Sequence, residues 1–115
     1  MTVRAILVTL LALVLAACGG DDGGEQTPAG LAADVGCQGC HSAQDTVIAP
    51  SLNGIWGTEV TLDDGRTATV DEEYVRRAIT DPGADVVDGY GPTMPRFPLE
   101  DKEVDTLVEW VRSLG

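Results

Sequence analysis

The sequence predicts one mainly α-helical domain with a small β-hairpin, and three observations support this. The chain has 115 residues, which leaves room for a single domain. Two short segments of alternating character flank the Asp-Asp-Gly of residues 63–65, which is typical of a hairpin turn. Near the C-terminus, apolar residues recur with the i, i+3, i+4, i+7 spacing of one helix face. They are Val104, Leu107, Val108, Val111 and Leu114.

The N-terminus is predicted to be a signal peptide over residues 1–17. Arg4 precedes a predominantly apolar stretch, residues 5–17, which is shorter than the roughly 20 residues of a membrane span. The alternative on length alone is an uncleaved anchor helix. Residues 15–18, Leu-Ala-Ala-Cys, resemble the lipobox of bacterial lipoproteins. This resemblance implies export of the chain and lipidation of Cys18.

Residues 18–29 are predicted to form a flexible tether ahead of a domain over residues 30–115. The segment is rich in Gly and acidic residues and has no apolar period. A metal or partner site in the acidic run is the alternative, although charge runs more often only solvate the chain.

The first elements of the domain are a helix and the hairpin. Residues 31–39 are small and compatible with a helix that ends at the glycine between two cysteines. The two strands of the hairpin are predicted over residues 58–62 and 66–70.

Two further helices follow the hairpin. Thr69 and Glu72 have the spacing of a capping box, which predicts a helix that runs to about Thr80 and is ended by Pro82. The last helix has acidic residues at its N-terminal end, where the helix dipole favours negative charge. These residues are Glu100, Asp101 and Glu103.

The cysteines predict the chemistry of the domain. Cys37, Cys40 and His41 form Cys-x-x-Cys-His, the attachment pattern of haem c. The spacing suits two thiolates that add to the two vinyl groups on one edge of the porphyrin, while the adjacent histidine binds iron. Since Cys18 is assigned to lipid, no thiol remains for a structural disulfide. The predicted cofactor is one covalent haem c.

Two rival interpretations of the cysteine motif remain open. A closed structural zinc site takes four protein ligands, and this chain offers two cysteines and its only histidine, so a carboxylate would have to complete the set. A thioredoxin-like redox pair would sit in a βαβ pattern, which the flanking sequence lacks.

The second iron ligand is predicted by elimination. The chain has two methionines, and Met1 leaves with the signal peptide, so Met94 is the one thioether of the mature chain. Because there is a single histidine, a site with two histidine ligands is excluded. Met94 lies in a loop punctuated by Gly and Pro, residues 89–95, whereas a Met that only fills the core more often lies on a helix. We therefore expect His41 and Met94 to be the axial ligands.

The charge is strongly negative and limits the choice of partners. Without Arg4, six basic residues face nineteen acidic ones, which gives a net charge of about −13. Nucleic acid is therefore excluded as a partner, whereas a redox protein with a basic face would be attracted.

The domain resembles class I c-type cytochromes, and in particular the cytochrome c domain of haem-copper oxidase subunit II and its free-standing relatives. The matching segments are residues 36–42 around the cysteine motif, 49–57 (Ala-Pro-Ser-Leu-Asn-Gly-Ile-Trp-Gly), 71–76, the Met94 loop and the final helix. The copper-binding and membrane-spanning parts of subunit II are absent. The resemblance implies about four short helices around one covalent haem, with the hairpin as an insertion.

The resemblance also implies roles for residues around the haem. The Pro50 carbonyl would hold the second nitrogen of His41. In the family the last helix crosses the first at small residues, so Leu107 and Trp110 would pack across Ala29, Ala33 or Gly36.

Further residues are candidates for contact with the cofactor. Asn53, Trp56 and Tyr90 would line the haem or bind a propionate, although each also suits a turn or the core. Arg76, Arg77 and Arg96 could neutralise propionates, with a solvated surface role as the alternative for the first two.

Two axial ligands leave no open site on the iron, which predicts a one-electron carrier rather than an enzyme. The expected donor is a quinol-oxidising complex or a dehydrogenase, and the expected acceptor is a terminal oxidase of a respiratory chain. The protein is expected to be a monomer, anchored by lipid on the extracytoplasmic side of the bacterial cytoplasmic membrane. The alternatives are a cytochrome subunit of a larger redox complex and a haem sensor or enzyme with a labile Met94.

Overall fold

A computed structural model of the chain describes residues 26–115. The predicted signal peptide, the lipidation of Cys18 and most of the predicted tether lie outside the described residues. Within residues 26–115, no helix is both long and apolar enough to cross a membrane. The described part contains three α-helices, one short 3₁₀ helix and a two-stranded sheet, which confirms a mainly α-helical fold with a β-hairpin.

The first helix, α1, spans Pro28–Val35 and is followed by a 3₁₀ helix, Cys37–Gly39. The Thr27 hydroxyl caps its start by accepting the Gly30 N–H at 3.1 Å. The sequence predicted one helix over residues 31–39, and this was wrong at both ends. The helix ends earlier because Gly36 takes a left-handed conformation, with φ of 91°, in which its N–H bonds to carbonyls of the last turn.

The hairpin consists of β1, Glu59–Thr61, and β2, Thr67–Thr69, paired antiparallel. Val60 lies opposite Ala68, and both point to the core side while their neighbours are exposed. Gly65 has a φ of 84° in the turn, a conformation that favours glycine.

The second helix, α2, spans Glu72–Thr80, but its cap is not the one that the sequence predicted. Thr69 belongs to β2, and the Asp71 carboxylate instead accepts the Tyr74 N–H at 2.8 Å. Asp71, directly before the helix, therefore satisfies one of the free N–H groups of the first turn.

The last helix, α3, spans Asp101–Ser113, and its buried face contributes five of the twelve buried residues of the core. Its first turn is closed by the Glu103 carboxylate, which accepts the Glu100 N–H at 2.8 Å. The buried residues of α3 are Val104, Leu107, Val108, Trp110 and Val111.

Helix α3 packs against both α1 and α2. On α1 the fully buried small residue is Ala32, beside Leu31. Ala29, Ala33 and Gly36, which the resemblance suggested for this crossing, are exposed. The correction follows from the direction of α1, whose inner face is set by Leu31, Ala32 and the half-buried Val35.

Candidate functional site

A mostly apolar cavity of about 380 Å³ lies between the end of α1, the loop over residues 40–58, α2, the loop over residues 81–100 and α3. The walls include Val35, Ile55, Val75 and Leu107. Six of the eight residues predicted to hold or contact the cofactor line this one cavity. They are Cys37, Cys40, His41, Pro50, Tyr90 and Met94.

The cysteine motif is brought to the cavity by a tight turn. After Gly36 the chain winds into the 3₁₀ helix, where the Cys37 carbonyl accepts the His41 N–H at 2.9 Å and the Cys40 N–H at 3.3 Å. This local winding places two cysteines and the histidine on the same wall. Both cysteines are free thiols, so neither is used in a disulfide.

The imidazole of His41 is oriented by the backbone of Pro50. His41 Nδ1 lies 2.8 Å from the Pro50 carbonyl oxygen. A carbonyl can only accept a hydrogen bond, so Nδ1 carries the proton and Nε2 keeps its lone pair for a metal.

The loop that presents Pro50 is itself fixed by short-range side-chain bonds. The Thr46 hydroxyl accepts the Ala49 N–H at 3.1 Å, and the Asp45 carboxylate accepts the Ser51 N–H at 2.8 Å. These bonds define the position of the Pro50 carbonyl on the cavity wall.

Met94 lines the same cavity but lies far along the chain from the cysteine motif, on the loop over residues 81–100. Its side chain is half-buried and packs against the core, and Tyr90 lines the cavity from the same loop. A thioether and an imidazole nitrogen therefore line the same cavity.

The family model for cytochrome c matches residues 26–115. The chain belongs to the cytochrome c family. No curated protein matches the chain.

Membership of the cytochrome c family implies covalently bound haem c, and the cavity of this cytochrome fits that cofactor chemically. Two free thiols, the groups that form the thioether bonds of haem c, line the cavity. The imidazole of His41 keeps its unprotonated Nε2 free of the hydrogen bond to Pro50. The apolar wall suits a porphyrin. Cys37, Cys40, His41 and Met94 are the residues that would hold the group.

The rival interpretations of the motif find little support in the cytochrome. Residues 26–115 contain no group of three or more His, Cys, Asp and Glu side chains that could hold a metal ion such as zinc. Burial raises the pKa of the Cys37 thiol, whereas a thioredoxin-like cysteine is made reactive by a lowered pKa.

Two predicted contact residues, Asn53 and Trp56, do not line the cavity. Asn53 is exposed and donates weakly to the Ala43 carbonyl at 3.4 Å, beside a neighbouring groove. The Trp56 ring is covered by the Arg112 guanidinium at 4.7 Å from the ring centroid. Their contact with the cofactor stays a prediction, and the geometry gives both of them structural partners.

The three arginines considered for the propionates are each paired with a carboxylate. Arg76 binds Asp105. Arg77 binds Asp85, and Arg96 binds Asp81. Their side chains are therefore already neutralised by protein groups.

Tyr74 and Asp85 also line the cavity, although no sequence pattern predicted them there. Burial and then the charge of Asp85 raise the pKa of Tyr74. The hydrogen bond from Arg77 lowers the pKa of Asp85, and burial of the carboxyl opposes this effect only in part. The apolar spacing of α2 could have placed Tyr74 inside, but Asp85 lies in an irregular loop with no sequence pattern.

Proposed function

We propose that this cytochrome is a monohaem electron carrier of a respiratory chain, tethered to the outer side of the bacterial cytoplasmic membrane, which delivers electrons to a terminal oxidase. The proposal is carried by one observation, the single cavity that collects Cys37, Cys40, His41 and Met94. The chain has one Cys-x-x-Cys-His motif, which supports a single haem.

Four residues of the cavity would hold the cofactor. Cys37 and Cys40 would bind it covalently, His41 would offer Nε2 to the iron, and Met94 would offer its sulfur. A c-type haem supplies a one-electron ferric–ferrous couple. With both His41 and Met94 bound to the iron, no site would be left for substrate or dioxygen, and sulfur ligation would favour a relatively high potential.

The walls and the rim of the cavity support electron transfer to another protein. The apolar wall excludes water from most of the site, while Cys40 and Ile48 on the same cavity are exposed. Val47 beside them is 95% exposed and apolar. We place the exit for electrons at this rim, where a partner can approach the cofactor edge closely.

The charge and the resemblance support the choice of partner and location. The acidic surface favours a partner with a basic face. The resemblance to the cytochrome c domain of oxidase subunit II supports a terminal oxidase as acceptor, with a quinol-oxidising complex or a dehydrogenase as donor. The lipobox-like sequence before Cys18 supports a lipid anchor, and the Gly-rich composition of residues 18–29 supports a flexible tether. We propose that the anchored protein is a monomer.

The first test is the visible spectrum of the matured protein, oxidised and reduced, compared with Met94→Ala. The wild type is expected to be low-spin in both states and to show a weak long-wavelength methionine-to-ferric band that Met94→Ala lacks. Ile48→Ala is the matched control, because it alters the same cavity wall without removing a ligating atom. Its spectrum should equal that of the wild type.

A high-spin wild type, or a Met94→Ala spectrum identical to the wild type, would show that Met94 is not the ligand. In that case a sensor or an enzyme with an open iron site replaces the carrier. A carrier that co-purifies in fixed stoichiometry with other redox proteins after mild detergent extraction would instead be a complex subunit.

A further inference from the structure

The loop that carries Met94 is fastened to the rest of the protein on both sides of that residue. After Met94, Arg96 binds the Asp81 carboxylate and donates to the Thr80 carbonyl at 3.3 Å. Both of these side chains are largely exposed. The fastening before Met94 is buried and involves Asp85, nine positions earlier in the chain.

Asp85 joins three elements through one carboxylate. Arg66 from the hairpin turn donates to it at 3.0 Å, and Arg77 from α2 donates to its other oxygen. The Asp85 side chain is only 4% exposed, whereas those of Arg66 and Arg77 are 59% and 38% exposed. The carboxylate is thus enclosed at the cavity wall, and its two partners approach from the solvent side.

The backbone after Asp85 is attached to the same hairpin. The Val86 carbonyl accepts the Asp63 N–H at 2.8 Å, and the Thr61 carbonyl accepts the Asp88 N–H at 2.9 Å. Between these bonds, Leu62 and Val87 form an isolated antiparallel bridge. The hairpin therefore supports the first part of the loop, and Asp85 connects this support to α2.

The part of the loop nearest Met94 is held mainly by bonds within the loop. The Tyr90 N–H bonds to the Val87 carbonyl at 3.1 Å, and the Thr93 N–H bonds to the Gly91 carbonyl at 2.8 Å. Such local bonds shape the loop but do not attach it to the helices. The position of Met94 therefore depends on the ion pairs on either side of it, those of Asp85 before it and that of Arg96 after it.

We propose that Asp85 is a positioning residue for Met94, which acts through the hairpin and α2 to keep the methionine-bearing loop closed over the cavity. The proposal rests on the ligation by Met94 proposed above. A loop released at Asp85 would spend a larger fraction of time away from the iron, and an external ligand would bind in proportion to that fraction. The hairpin insertion then has a function, because it controls how readily the sixth position opens.

Asp64 provides the matched control for Asp85. Its carboxylate binds the same arginine, Arg66, at 2.7 Å, but both residues belong to the hairpin turn. Asp64→Asn and Asp85→Asn therefore make the same chemical change beside the same arginine. Only Asp85→Asn releases the loop.

The test follows the methionine-to-ferric band and the helical circular dichroism of the matured holoprotein during heating. In Asp85→Asn the band should disappear about 5 °C or more below the loss of helix, whereas in the wild type and Asp64→Asn the two transitions should lie close together. Carbon monoxide should bind to reduced Asp85→Asn about tenfold more tightly than to the wild type or Asp64→Asn.

A second variant covers the case in which Asp85→Asn does not mature. Arg66→Gln removes the exposed hairpin partner of Asp85. It should lower the temperature at which the band is lost and tighten carbon monoxide binding, each by a smaller amount than Asp85→Asn does. If Asp85→Asn, or Arg66→Gln in its place, lost the band at the same temperature and bound carbon monoxide with the same affinity as Asp64→Asn, the inference would be overturned. Met94 would still be the ligand. A wild type without the band would overturn the ligation itself, and the inference with it.

Discussion

The two sides of the cavity are held by different kinds of interaction. On the cysteine side, contacts are local: His41 and Pro50 are nine positions apart, and Asp45 and Ser51 are six apart. On the methionine side, Asp85 is tied to Arg66, nineteen positions away, and the loop depends on the hairpin and α2. The histidine side can therefore form as one short segment winds, whereas the methionine side needs most of the fold in place.

The largest expected effect comes from withholding the cofactor, because the cysteine side and the methionine side of the cavity then have no haem between them. Without the cofactor, the mostly apolar wall of the cavity would face water, which is unfavourable. A domain of this size buries only a modest core and has little stability to offset that exposure. Unmatured protein should therefore lack a native helical signal and a cooperative melt by circular dichroism.

The control for this experiment is the matured protein from the same expression system. A native helical spectrum with cooperative melting of the unmatured protein would show that the walls close without the cofactor. The cytochrome would then be held together by the contacts of α3 with α1 and α2 alone.

A smaller effect is expected from acid, and it should act on the methionine side. The Arg77 hydrogen bond lowers the pKa of Asp85, so the unfolded chain binds a proton there at a higher pH than the folded protein does. The stability from Asp85 is therefore present above the ordinary aspartate pKa of about 3.9 and is lost as the pH falls through the lower folded value. Each unit by which the pKa is lowered contributes about 1.4 kcal/mol.

Thermal melting of wild type and Asp85→Asn as a function of pH measures this effect. The difference in Tm should be largest near neutral pH and should vanish at pH values below the folded pKa of Asp85. Asp64 is exposed, so the corresponding difference for Asp64→Asn should be smaller and should be removed by salt. A pH-independent difference for Asp85→Asn would mean that its charge contributes nothing.

Sequence patterns predicted the local side of the site better than the distant side. The spacing of Cys37, Cys40 and His41 carries its own geometry, so the structure brings these residues to one wall. The cap of α2 was misassigned because Thr69 and Asp71 both suit a cap, and only pairing of β2 decides between them. Asp85 could not be predicted, because its partners are set by tertiary packing.

The face that α1 turns toward α3 could not be predicted from the sequence either. Small residues occur throughout this helix, and the sequence alone does not say which of them faces α3. In the structure, the burial of Leu31 and Ala32 shows which face of the helix is turned to the core, and it places Ala32 at the crossing. Periodicity in an eight-residue helix is too short to make that choice.

The smallest expected effect tests whether the cysteine side is as local as its contacts indicate. Thr46→Val keeps the shape of the side chain but removes a hydroxyl that accepts the Ile48 N–H at 3.2 Å and the Ala49 N–H at 3.1 Å and donates to the Ala49 carbonyl at 3.1 Å. The loss should cost about 1 kcal/mol, because Thr46 is exposed and water can replace the hydroxyl at its former partners. Since Thr46 lies four positions before Pro50, the change should loosen the carbonyl that orients His41 and leave the Met94 loop untouched.

Nuclear magnetic resonance of the reduced protein can separate these two outcomes. The His41 Nδ1 proton should exchange with solvent faster in Thr46→Val, while the shifted signals of the Met94 side chain should keep their positions. Ser42→Ala serves as the control, because its hydroxyl donates to the Gln44 carbonyl in the same loop without contacting residues 49–50. Movement of the Met94 signals would show that the two sides of the cavity are coupled through the cofactor rather than held independently.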